Sequence, residues 1–200
     1  TKTVADREFR QIYNLLTLFE YSESFRPQKT MGSDYDRIQF NQQFSQLIAS
    51  EDLISHVLYY PRGGDTVFSS MGTYKPEDLP KTALKHQTWP AEAFVQALKS
   101  AEAPLWVAED MVTTYDVAPV EYFVRVEPIP YMSTHPYATI VFYLSSAGFQ
   151  KVLQNTGNLP ENTAALLYRG EEPIAYFGDV AVSPTEVKSA LTGFSPTPGQ

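Results

Sequence analysis

The chain has 200 residues, 15 Lys and Arg against 23 Asp and Glu for a net charge of −8, and no cysteine. A chain of this length can bury a core without a metal or disulfide staple, and the missing cysteines exclude disulfide scaffolds, thiolate zinc sites and cysteine nucleophiles. The acidic balance removes the electrostatic attraction on which direct nucleic-acid contact depends, and no run of Lys or Arg restores it locally.

Over residues 6–20, Phe9, Ile12, Tyr13, Leu16 and Phe19 recur at helical spacing, with Leu15 and Leu18 widening the stripe. This predicts a long amphipathic helix. Two Arg accompany three acids in that stretch, so the helix lacks a basic membrane-binding face and is expected to pack against a sheet or another helix. Ser33 and Asp36 resemble a capping box, and Phe40, Phe44, Leu47 and Ile48 follow on one face of a second helix ending near Ala49. Pro27 and Gly32 punctuate the connection between the two.

Residues 54–60 and 65–70 are β-branched and aromatic runs flanking Pro61-Arg62-Gly63-Gly64, the pattern of a hairpin. A polar, loop-like stretch follows Pro76. Residues 90–100 then read as a helix with Phe94, Ala97, Leu98 and Ala101 on one face, stopped by Pro104. Strands are predicted at 105–108, 121–127 and 138–144, followed by a short helix capped by Ser145 or Ser146 and running through Phe149, Val152 and Leu153. The Asn, Gly and Pro content of residues 155–161 marks a boundary. Beyond it, residues 164–169 and 174–177 read as a second hairpin, and Ser183-Pro184-Thr185-Glu186 as a helix start. The longest apolar runs, 140–144 and 164–168, fall far short of the roughly 18 residues a membrane helix needs. The chain starts at Thr1 without a Met or a signal-like segment, which fits an excised piece of a longer protein.

The established catalytic and phosphate-binding motifs are absent. His56, His86 and His135 are widely spaced and lack a helical ligand partner, so they are expected to be structural. The acidic pairs Glu109-Asp110 and Glu171-Glu172 read first as surface charge. Asp110 stands out because it directly follows the Trp106 strand, where a carboxylate can meet a cationic ligand group. An amphipathic pocket has candidate lining in Tyr59, Tyr60, Trp89, Trp106, Tyr122 and Tyr131. Strand alternation sends Tyr59 and Tyr60 to opposite sides. Arg125, between Val124 and Val126, is expected to face solvent.

The succession of a long helix, a second helix, Ile54-Ser-His-Val-Leu-Tyr-Tyr60, a Gly-Gly-Asp turn and Val67-Phe-Ser-Ser-Met-Gly-Thr-Tyr74 resembles an extracytoplasmic Cache sensor domain. In that PAS-like family a strand of the form I-x-x-I-x-Y-Y precedes one reading V-x-S-S-x-G. Residues 122–129, 138–145 and 149–153 match its closing strands and helix. The flavour is that of sensors fused to AraC-type helix-turn-helix regulators. The resemblance implies an α+β fold: a long N-terminal helix packed on a curved, five-stranded, PAS-like antiparallel sheet, with a small second αβ lobe. Residues 1–154 would form the helical stalk and membrane-distal module, and residues 160–200 a short membrane-proximal lobe. The family's amino-acid-binding pattern sets an Arg two residues before a Trp that a Tyr follows. Here the match is Gln87-Thr88-Trp89-Pro90, so only Trp89 and, by position, Asp110 carry over as contacts.

The function expected is ligand sensing on the extracellular side of a membrane, through a change of shape and without catalysis or a cofactor. The ligand-binding candidates are Trp89, Trp106, Asp110, Tyr60, Tyr122 and Tyr131. The partner is a small molecule such as an amino acid, organic acid or sugar, or else a protein. Membrane attachment would come through flanking helices, and a homodimer through the N-terminal helix. Alternatives are the sensor of a histidine kinase or chemoreceptor, or a cell-surface solute-binding domain.

Overall fold

A computed structural model describes residues 2–27, 32–48, 53–115, 117–131, 133–148, 165–169 and 172–177. Helix α1 (Lys2–Tyr21) turns through a short 3-10 segment (Glu23–Phe25), capped by Ser22, toward α2 (Asp34–Ile48). The predicted capping box forms with Asp in the place of Glu: the Asp36 N–H donates to Ser33 Oγ at 3.3 Å, and Asp36 Oδ2 accepts from the Ser33 N–H at 3.0 Å. Strands β1 (Ile54–Pro61), β2 (Val67–Ser69) and β3 (Gly72–Tyr74) follow. The β1–β2 turn uses Gly63 at φ +80°, a conformation that favours glycine.

The stretch expected to be a loop after Pro76 instead holds a four-residue helix, α3 (Leu79–Thr82), and β4 (Leu84–His86). Then come α4 (Ala91–Ser100), β5 (Leu105–Thr114), β6 (Val120–Ile129) and β7 (Ala138–Ser145). The predicted second hairpin is present as β8 (Ala165–Arg169) paired antiparallel with β9 (Glu172–Phe177). The expected boundary at 155–161, the helix residues Phe149, Val152 and Leu153, and the helix start at Ser183 lie outside the described residues, and of the expected lobe at 160–200 the described part is the β8–β9 hairpin.

The main sheet is antiparallel, with the order β3-β2-β1-β7-β6-β5-β4. It has seven strands, not five, because the short edge strands β3 and β4 extend it on either side. Both faces are covered. Under α1 and α2 lies a cluster rich in rings: Phe19, Phe25, Phe40, Phe44, Tyr59 and Phe68. Their centroids sit 4.5–6.0 Å apart, the spacing at which aromatic pairs add to plain burial. The opposite face buries Leu58, Tyr60, Val124, Val126, Val141 and Tyr143 beneath Leu79, Phe94 and Leu98 of α3 and α4. Tyr59 and Tyr60 thus point to opposite sides as alternation requires, and both are buried.

Three expectations fail on the α1 face. Tyr13 and Leu18, placed on the buried stripe, are exposed, because Ile12, Leu15, Leu16 and Phe19 already fill the arc that meets the sheet. Arg125 is buried and not solvent-facing: its guanidinium pairs with Glu127, two residues along the same face. It also lies 4.8 Å from the Trp106 ring centroid and 5.4 Å from that of Tyr13. A buried charge needs such a partner. On the other side of the sheet, Arg62 ties α4 down at its C-terminal end. It donates to the carbonyl of Ala101, the C-cap residue, and through Nε to Thr139 Oγ1 at 3.2 Å.

Candidate functional site

At one end of the face under α3 and α4, the polar atoms of His86, Asp110, Tyr143, Tyr122 and His56 converge. His86, on the edge strand β4, reaches Asp110 Oδ2 with Nδ1 at 2.8 Å and the Tyr143 hydroxyl with Nε2 at 2.9 Å. The His86 and Asp110 side chains are 1% and 0% exposed. Asp110 also accepts from the Thr88 N–H at 2.9 Å and the Trp89 N–H at 3.3 Å. Tyr143 packs edge-on against Tyr122, and the Tyr122 hydroxyl lies 3.4 Å from His56 Nε2. The Trp89 and Phe94 rings close over His86 with centroids 5.3 Å away.

A bulge sets this geometry. The β5–β6 register shifts between Val107 and Asp110, and the inserted residue turns Asp110 onto the same face as Val107 and its cross-strand partner Tyr122. The carboxylate then meets the N–H groups of the chain entering α4. Pro90 stands at the helix N-cap, where its missing N–H is no loss.

Electrostatics follow from burial and these bonds. Burial alone would push the Asp110 carboxyl up, but the N–H of Thr88, the His86 imidazole and Thr88 itself outweigh it and hold the group below its ordinary value. Burial pulls His86 down despite the opposing pull of Asp110. Tyr143 is driven well up, by burial first and then by the charge of Asp110. The neutral imidazole fits this setting, with Nδ1–H donating to Asp110 and Nε2 accepting from Tyr143.

Of the residues nominated from sequence, Trp89, Asp110 and Tyr122 come together here. Asp110 is buried rather than surface charge, and the donors around its carboxylate belong to the protein. Tyr60 shares the face but sits four residues along the ladder, pairing with Thr139 where His56 pairs with Tyr143, roughly 13 Å away at strand rise. Its hydroxyl donates to the Gly64 carbonyl at 2.9 Å. Trp106 is on the opposite face, against Arg125. Tyr131 lies past the end of β6 and is 49% exposed. His86 and Tyr143 were not foreseen: nothing in the spacing of His86 marks it, and Tyr143 lies inside an apolar strand run. Among the described residues no group of three or more His, Asp or Glu is placed to hold a metal ion.

Beside the cluster, an open groove of about 400 Å³ runs between α4 and the start of β5. Trp89 stands at its wall with Ala93, Ala97, Ala101 and Leu105, and Gln96 and Ser100 supply polar atoms. Trp89 therefore borders the groove, with its ring against His86 and Phe94 and its backbone N–H held by Asp110.

No protein-family model matches the chain, and no curated protein matches it. Solved structures do. The sensory domain of the Campylobacter jejuni chemoreceptor Tlp3 (CcmL), with isoleucine bound, aligns over 96% of this chain and 74% of its own at TM-score 0.54 and 14% identity. The extracellular domain of a protein named as a histidine kinase, vpHK1S-Z8, aligns over 83% of this chain at TM-score 0.51 and 11% identity. This chain spans 60% of that domain's length. A structure named Methyl-accepting Chemotaxis protein X aligns over 96% of this chain and 81% of its own at TM-score 0.50 and 13% identity. The fold is that of Cache and PAS-like sensory domains: an α+β arrangement of a curled antiparallel sheet with a few helices.

Proposed function

We propose that this chain is the extracytoplasmic ligand-sensing domain of a transmembrane signalling protein, working by ligand-coupled conformational change. The observation that carries the reading is the placement of Trp89. It borders an open groove while its backbone N–H is bonded to Asp110, which is linked through His86 to Tyr143 on the central strand β7. A ligand seated on the ring acts directly on the segment that joins β4 to α4. Only unequal affinity for two arrangements of that segment can drive an output.

The ligand class is a small molecule of amino-acid, organic-acid or sugar type. The bound isoleucine of the chemoreceptor domain with this fold supports an amino acid. The output stage follows one of two patterns. Sequence order resembles the AraC-type membrane regulators, whereas the similar solved domains belong to a histidine kinase and chemoreceptors, which favours a kinase or chemoreceptor parent equally. Membrane attachment through flanking helices and pairing of two copies along α1 belong to the same reading. The uncharged outer surface of α1 at Tyr13, Asn14, Thr17, Leu18 and Tyr21 suits self-association of a chain with net charge −8.

Thermal-shift screening against amino acids, organic acids, sugars and short peptides tests the proposal. A ligand at a hundred times its Kd adds about 2.7 kcal/mol, which raises the midpoint by roughly 5–10 °C for a chain of this size. Trp89→Ala is expected to remove the shift and leave the unliganded chain folded. Asp110→Ala is unsuited to the purpose, since it strips two backbone N–H groups and an imidazole of their acceptor. A panel without any shift, or a shift that survives in Trp89→Ala, overturns the site.

A further inference from the structure

We propose that His86 is a proton-operated clasp: with its imidazole neutral, the Asp110–His86–Tyr143 chain fastens Thr88, Trp89 and the start of α4 to the sheet, and a second proton on the ring releases them, while the Gln87 N–H stays bonded to the Met111 carbonyl at 3.0 Å. The inference concerns regulation of the proposed site, and the clasp itself stands whether or not a small molecule is the ligand.

The geometry allows one fully bonded arrangement. With the ring neutral, the carboxylate of Asp110 accepts three N–H groups, from His86, Thr88 and Trp89, and Nε2 of His86 accepts the Tyr143 hydroxyl proton. Each buried polar atom has its partner. A second proton turns Nε2 into a donor. The Tyr143 hydroxyl must then rotate to accept, and its own proton loses its acceptor in a wholly buried position. An unmet buried donor weighs against that state.

The groups around the ring do not rescue it. Asp110 faces it from β5 and Tyr143 from β7, while Trp89 and Phe94 present rings from the loop and from α4. Beyond Tyr143 stand Tyr122 on β6 and His56 on β1, in ring contact at 5.8 and 6.2 Å. Asp110 is the charged group that acts on the ring, and burial still outweighs its pull. Movement of Thr88 and Trp89 away from the sheet brings water to Nε2 and to the hydroxyl and relieves the conflict. Acid therefore favours the open arrangement.

The sign agrees with linkage. His86 in the closed form titrates below the ordinary histidine value of about 6.5, so the closed form is favoured above that value and loses ground as pH falls through the lower, closed-form value. Asp110 is depressed too, and its contribution is lost in the same direction, at lower pH.

The test is an NMR titration of the 200-residue chain from roughly pH 8 to pH 4, following the three imidazoles and the Thr88 and Trp89 amides. The expected result is a reversible change of both amides with the midpoint of the His86 ring, absent in His86→Gln. His56 and His135 serve as internal references. Amides that stay constant through the His86 titration, or that follow a different histidine, overturn the proposal. So does the same amide transition in His86→Gln. Should that variant not fold, the wild-type comparison of ring and amide midpoints decides alone.

Discussion

At the scale of the residue, the face under α1 carries its own argument. The Arg125 and Glu127 side chains are buried together on β6, and Glu127 Oε2 has no hydrogen-bond partner among the described residues. Burial pushes the Glu127 carboxyl up while Arg125 pulls it back. Such a pair is worth little net, but half of it is a liability. Glu127→Gln is expected to lose about 3–5 kcal/mol, and Arg125→Met with Glu127→Leu much less, by urea unfolding. Equal losses in the two proteins would contradict this account. Alternation could show that Arg125 and Glu127 share a face, but sequence gave no sign that α1 covers that face. A mid-strand arginine is usually solvated. Asp110 shows a different limit of legibility. Strict alternation from Trp106 would send Asp110 to the same side as the tryptophan. The bulge after Val107 reverses it, and nothing in the letters Ala108-Glu109 announces an inserted residue.

At the scale of the element, what was legible was whatever carries a period or a cap. Helices α1, α2 and α4 follow from spacing, the strands β1, β6 and β7 and the second hairpin from β-branched and aromatic runs and their turn residues, and Ser33 caps α2 as its sequence implies. Ser33→Ala is expected to cost about 1 kcal/mol of stability by urea denaturation, with Ser33→Thr nearly neutral. A loss below a few tenths would mean that the box is ornamental. The elements that were missed are β3, α3 and β4, of three, four and three residues. None is long enough to show a period. They exist because neighbours complete them: β4 pairs with the last residues of β5, and Leu79 and Leu84 are buried in the core below α4. His86 sits on one of these short strands, so the segment hardest to read from sequence positions the candidate site.

At the scale of the whole molecule, a sheet covered on both faces has a stable centre and weaker rims. Hydrogen exchange is expected to be slowest in β1, β7 and β6 and faster by orders of magnitude in β3 and β4, where pairing is one-sided and three residues long. Uniform protection across the sheet would argue against that gradient. The candidate site spans it, since Tyr143 belongs to the centre and His86 to the rim. Arg62 adds a mechanical consequence. It grips the far end of α4 through the Ala101 carbonyl, independently of His86 and Asp110. If the near end comes loose, this bond and the buried Phe94 and Leu98 still hold the rest of the helix to the sheet. A disturbance at Trp89 is thus confined first to the N-terminal end of α4, whose C-terminal end keeps its own ties.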